Sequence, residues 1–143
     1  MKAIREFEEF IKENVVKKQA PDVSRAEFLK SESKKSFQLL KKKITLLKIS
    51  DETANDLVKS CYDIIMELIR AHMLLNGFNA SGYGAHEAEV AYLRIMKCSE
   101  TDVQFTDQLR YFRNGMLYYG THLDKEYAEK IIEFTKKMYE TLR

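Results

Sequence analysis

Five glycines and one proline are spread over 143 residues. Tight turns need residues that tolerate positive φ or come with φ already fixed, and glycine and proline supply most of both. Six such positions cannot serve the many reversals of a sandwich or barrel. Long elements with few connections remain, which favours helices. The length is that of a single domain, 1–143, able to bury roughly 68–70% of its unfolded surface without a metal or disulfide staple. Charged residues make up 32% and hydrophobic ones 45%, a balance that excludes a disordered or membrane-embedded chain.

The apolar pattern repeats with helical spacing throughout. Ile4, Phe7, Ile11 and Val15 predict a helix over residues 3–18, which Pro21 separates from the rest. Residues 1–20 are therefore expected as an additional N-terminal helix outside the main bundle. Ser24 and Glu27 have the spacing of a capping box for a second helix over about 24–48, with Leu29, Phe37, Leu40, Ile44 and Leu47 in one stripe. A third helix opens at Ser50 and carries two adjacent apolar stripes, one through Leu57, Cys61, Ile64 and Leu68, the other through Val58, Tyr62, Ile65 and Ile69. Two stripes side by side mark the central helix of a bundle. Asn76-Gly77 ends it, and Phe78–Gly84 is the one Gly/Ser-rich loop. Helices over about 85–97, from Thr101 or Asp102 to Gly120, and from Asp124 onward complete the series, with no strand-like alternation of useful length. The expected fold is all-α, an antiparallel up-and-down bundle of about five core helices plus the N-terminal helix.

The net charge of +2 conceals an asymmetry: residues 1–50 hold 13 Lys/Arg against 7 Asp/Glu, and residues 51–143 hold 11 against 15. A basic first third could suit a polyanion or acidic partner, but the charge pattern alone favours the solvated faces of two helices. Cys61 and Cys98 sit within apolar helical patterns and lack zinc-site spacing, as reduced core thiols of a cytoplasmic protein would. The charged N-terminus has no signal-peptide core, and no apolar run is long enough for a membrane span.

Most catalytic signatures are absent. There is no phosphate-binding loop, GxGxxG, HExxH, EF-hand loop, GxSxG turn or Glu-x-x-His. His72, His86 and His122 lack metal-ligand spacing, so neither a metal nor a cofactor is expected. One stretch is chemically dense: Arg110-Tyr111-Phe112-Arg113-Asn114-Gly115-Met116-Leu117-Tyr118-Tyr119-Gly120. Tyr111, Asn114 and Tyr118 share a helix face, with Arg113 beside it and Arg110 one turn earlier. Gly115 lies inside the helix at a cost of about 1 kcal/mol relative to Ala, which suggests close approach of a backbone or ligand. The same tyrosines and arginines also suit a plain protein interface.

Two places resemble HEPN domains, small helical bundles often paired with minimal nucleotidyltransferases. Asn76-Gly77-Phe78, a short loop, then His86-Glu87-Ala88-x-x-Ala91-Tyr92-Leu93 is similar to the family's helix end, loop and Ser-His-Glu-Ala helix start, with Gly84-Ala85 at the small-residue positions. Arg113-Asn114-Gly115-Met116-Leu117-Tyr118 is similar to its signature Arg, a polar residue, then His four to six residues after the Arg. The resemblance covers about residues 24–143.

It implies a homodimer whose cleft binds RNA or nucleotide phosphate, through Arg110, Arg113, Asn114, Tyr118 and His86, and a nucleotidyltransferase partner in a toxin–antitoxin pair. The family's ribonucleases are metal-independent and use the Arg and the His. Here Tyr118 holds the His position and His122 lies nine residues after Arg113, so the catalytic candidates are Arg113, Tyr118 and His122. Tyrosine, with a pKa near 10, is a poor general base at neutral pH. The departure implies binding with weak or absent nuclease activity. In the alternative, the Tyr/Arg helix is a dimer or partner interface of a non-catalytic module, and His86 merely bonds across its loop.

Overall fold

The computed structural model describes residues 3–118, 120 and 122–143, with Leu117 and Tyr118 described in backbone only. In chain order the elements are α1 (Phe7–Lys12), β1 (Val16–Lys18), α2 (Val23–Leu47), α3 (Ala54–Leu75), β2 (Phe78–Ala80), α4 (Ala85–Ile95), α5 (Glu100–Tyr118) and α6 (Lys125–Leu142). The protein is a mostly all-α helical bundle, and α3 lies at its centre, packed by α2, α4, α5 and α6.

The burial of α3 follows from its sequence. Leu57, Cys61, Ile64 and Leu68 are buried, and so are Val58, Tyr62, Ile65 and Ile69 on the adjacent stripe. Met66 and Ala71 extend the buried arc further. Along its unburied face run Asp56, Asp63, Glu67 and Arg70, three or four residues or a heptad apart, with Lys59 and Ser60 beside them. Phe37 of α2 stacks on Tyr139 of α6 at 4.0 Å, closing one side of the core. On that side Ser33 donates its hydroxyl to the Ile64 carbonyl at 3.1 Å, so the buried oxygen has a partner.

The N-terminal segment departs from the expected single helix standing outside the bundle. Its helix is six residues long, and Phe7 and Phe10 are buried in the main core. Phe7 meets the edges of Phe78 and Tyr92 at 5.3 and 4.9 Å. Arg94 of α4 donates to the carbonyls of Ile4 and Arg5 while forking onto Glu100, tying α4 and α5 to the same segment. After α1, Asn14 takes positive φ and the chain extends into β1. β1 pairs antiparallel with β2, Val16 opposite Ala80 and Lys18 opposite Phe78. A three-residue strand has no room for the alternation that marks strands in sequence, and val-lys-lys scans equally well as a helix end.

Capping also shifted by a residue or two. Asp22, not Ser24, caps α2 by accepting from the Arg25 N–H at 3.1 Å. Ser50 and Thr53 bond each other's backbone N–H groups ahead of α3. Ser99 accepts from the Asp102 N–H at the start of α5. Gly77 is the glycine the fold cannot replace. It has φ +79°, and a Cβ there would stand 2.5 Å from the Gln19 carbonyl oxygen. That carbonyl belongs to the strand of backbone crossing the end of α3, whose Gln19 N–H bonds Gly77 itself at 2.8 Å.

Leu47, expected in the core stripe of α2, is 60% exposed, as are most of Phe28, Leu39 and Leu46 on the outer side of that helix. Phe10→Ala, which empties a site at 0% exposure, should cost about 3–5 kcal/mol in urea unfolding. Leu46→Ala, at 79% exposure, should stay within about 0.5 kcal/mol of the parent protein.

Candidate functional site

The unburied line on α3 is where the charges of three helices meet. Arg70 donates through Nε to Glu89 Oε2 at 2.6 Å and through Nη2 to Oε1 at 3.3 Å. Glu89, on α4, is only 4% exposed, so this ion pair is drawn well into the protein. Burial is the largest single influence on Arg70 and opposes its charge, but the bond to Glu89 together with the charges of Glu89, Tyr62 and Asp63 outweighs it and raises the pKa. His86, one turn before Glu89, places Nδ1 at 2.9 Å from Glu89 Oε1 and 3.3 Å from Arg70 Nη2. The tautomer with hydrogen on Nδ1 satisfies the carboxylate and leaves Nε2 as the acceptor. The bond across the loop expected of His86 is therefore a bond within α4, to Glu89, whose carboxylate in turn holds Arg70 of α3.

On the other flank, α5 contributes Asp107 and Arg110, joined by an Nε-to-Oδ1 bond of 2.7 Å with Asp107 at 3% exposure. Tyr62 lies between the flanks. Burial pushes its hydroxyl up to about 12, with Glu89 adding to the effect and Arg70 and Arg110 opposing it. Asp63 is raised by burial and lowered by Arg113 and Arg70. One electrostatic band thus runs from His86 and Glu89 through Arg70, Tyr62 and Asp63 to Arg110 and Arg113.

Arg113 differs from the other two arginines. Its Nε and Nη1 are buried with no hydrogen-bond partner among the described residues. Buried donors without an acceptor cost about 1–3 kcal/mol each, so Arg113 is held in a state that an incoming acceptor would improve. Glu67 is the second unusual group. Burial first, then Asp63 and Glu32, push its carboxyl up to about 7, against the pull of Arg70. A carboxyl with that value changes charge near neutral pH, beside the band's cations.

The predicted site residues are partly gathered. His86, Arg110 and Arg113 belong to the one band, and Asn114 follows Arg113 half-buried on α5. Gly115, the glycine inside the helix, is buried. The side chain of Tyr118 lies outside the described residues. His122 is exposed on the segment after α5, its Nδ1 3.0 Å from the Leu123 carbonyl. Among the described residues no hydrogen bond or ion pair links it to Arg113. That segment is instead anchored to the start of α3: Asn55 accepts from the Leu123 N–H and Asp51 from the Lys125 N–H, both at 2.8 Å. His72 bonds the Leu142 carbonyl at 2.6 Å, a structural tie between α3 and α6.

Asp63, Glu67, Arg70, Glu89 and Asp107 did not stand out from the sequence. The signal was there in the heptad spacing of charges that interrupt an otherwise apolar α3. Among the described residues no group of His, Cys, Asp and Glu is placed to hold a metal ion, and no helix is long and apolar enough to cross a membrane. Cys61 and Cys98 are free thiols, and burial pushes Cys61 up to about 12, which keeps it protonated and unreactive.

The raised carboxyl of Glu67 has a sign. The folded state keeps a proton that the unfolded chain releases above its ordinary pKa of 4.5, so this group weakens the fold as pH rises from about 4.5 through about 7. Allowing for solvent screening, Glu67→Gln should raise the melting temperature by about 2–4 °C at alkaline pH and leave it unchanged near the acid end of that window, as read by thermal scans across pH.

No family model, no curated protein and no solved structure matches the chain, so its own residues are what bear on function.

Proposed function

We propose that this is a HEPN-like protein that binds nucleotide or RNA phosphate in a homodimer cleft lined by α5, and that it is weak or inactive as a ribonuclease. The observation that carries the reading is the pair of unpartnered Arg113 donors. Arg70 and Arg110 are each committed to a buried carboxylate, at 2.6 and 2.7 Å. Arg113 alone of the three has donors already removed from water and not yet bonded. A phosphate oxygen would gain two charge-assisted bonds there without further desolvation of the guanidinium. Asn114, the next residue, supplies an amide on the same helix. The HEPN resemblance adds the dimer, the nucleotidyltransferase partner and a toxin–antitoxin setting, and the two free cysteines suit a cytoplasmic location.

Glu67 makes this binding depend on pH. Ionised, it adds a negative charge close to Asp63; protonated, it removes one. Phosphate binding should therefore tighten as pH falls through about 7, and Glu67→Gln should abolish that dependence.

A second reading rests on Tyr111, which is 61% exposed on α5 with its ring edge-on to Phe112 at 6.3 Å. An exposed aromatic beside arginines is also what a protein interface presents. In that case α5 is a contact surface of a non-catalytic module.

Fluorescence anisotropy with labelled short RNA and with ATP separates the two. Binding by the parent protein that Arg113→Ala weakens by about tenfold or more supports the phosphate site. Binding absent from both proteins, or equal in both, overturns it in favour of the interface. In a gel assay with single-stranded RNA, the parent protein should cleave little and Tyr118→His should gain metal-independent cleavage. Cleavage that survives both Arg113→Ala and His122→Ala would place the activity elsewhere.

A further inference from the structure

A cavity of about 460 Å³ is lined in part by Arg70 and by no described residue of α5. The start of α2, the end of α3, β2 with the loop after it, and the first turn of α4 form its walls. Its volume is in the range of small-molecule sites. None of the function proposed above uses it, and it depends on the N-terminal segment, since β1 holds β2 in place and Asp22 bonds the Leu74 carbonyl beside it.

The lining divides by chemistry. Leu29, Leu74 and Phe78 give an apolar floor. Arg25, Ser81 and His86 give a polar rim. The charges are unevenly balanced. Glu89 is the only carboxylate in the lining, and both of its oxygens are already taken by Arg70 and His86. A cationic ligand would find no free carboxylate. Arg25 is exposed, and among the described residues its guanidinium has no ion-pair partner; only its backbone N–H is engaged, by Asp22. The uncompensated charge at the mouth is therefore positive.

We propose that this cavity binds a small organic anion, its phosphate or carboxylate group at Arg25 and its apolar or ring-bearing body on Leu29, Leu74 and Phe78. The apolar floor sets it apart from a site for inorganic anions, and Arg25 sets it apart from a site for neutral apolar molecules. His86 links it to the α5 band: the same imidazole that bonds Glu89 stands on the cavity rim, so an occupant would sit against one end of that band.

Isothermal titration with phenyl phosphate and with hexanoate tests this, alongside inorganic phosphate and benzyl alcohol as the two halves of the ligand. At least one amphipathic anion should bind saturably, and each half alone roughly tenfold more weakly or not at all. Arg25→Gln, at an exposed position, should weaken binding by roughly tenfold. Ala85→Leu, which places a larger side chain on the cavity wall at the start of α4, should block it while the circular dichroism spectrum stays that of the parent protein. Preference between phenyl phosphate and hexanoate tells a phosphorylated ring from an aliphatic acid. Arg113→Ala should bind as the parent does, so failure of the α5 site and failure of this one are told apart. No saturable binding of either anion, halves that bind as well as the whole, or parent-like binding by Arg25→Gln would overturn the proposal.

Discussion

The burial of α3 on nearly every side is the constraint from which the other arrangements follow. A 22-residue helix packed by four others keeps only one face partly open to water along most of its length. Charged residues on such a helix have nowhere else to go, because an unpaired charge in the core would cost several kcal/mol. Asp63, Glu67 and Arg70 therefore share one seam, and the flanking helices must bring counter-charges to it. Glu89 from α4 and Arg110 and Arg113 from α5 are those counter-charges. The site is in this sense a by-product of packing: the closer α3 is wrapped, the more densely its polar groups are forced together.

Density does not mean complete pairing. Glu89 and Asp107 each hold an arginine at short range, and both are nearly inaccessible. Glu67 and Arg113 do not find such partners. One is left with a carboxyl that favours its proton, the other with donors that lack acceptors. The two unsatisfied groups lie on neighbouring helices along the same seam, with Asp63 feeling Arg113 and raising Glu67. Structure that is otherwise well satisfied, with bonded buried hydroxyls at Ser33, Thr106 and Thr135, makes this local shortfall conspicuous.

Much of this fold was legible in the residues because helical periodicity is a local property. The double stripe on α3, the Asn76-Gly77 stop and the Asp124 cap of α6 are each written within a turn or two of chain. The N-terminal segment was not legible, because its strand exists only through a partner far along the chain. The exposure of Leu47 was hidden for a related reason: periodicity says which residues share a face but not where the neighbouring helix ends. At the site, the motif on α5 pointed to Arg110 and Arg113, and the His86 helix start was also visible. Their connection runs through α3, whose charges carry no motif and gain their setting only where three helices converge.

The β1–β2 pairing joins residues more than sixty positions apart, Val16 to Ala80. The entropy of closing so long a loop grows only slowly with its length, so the pairing is not costly once both ends exist. Timing is another matter during synthesis. At ~5–20 residues per second, roughly 3–13 seconds separate the making of β1 from the making of its partner. Through that interval Phe7, Phe10 and Val16 have no completed core to enter, and a segment made well before its partner is among the last to settle.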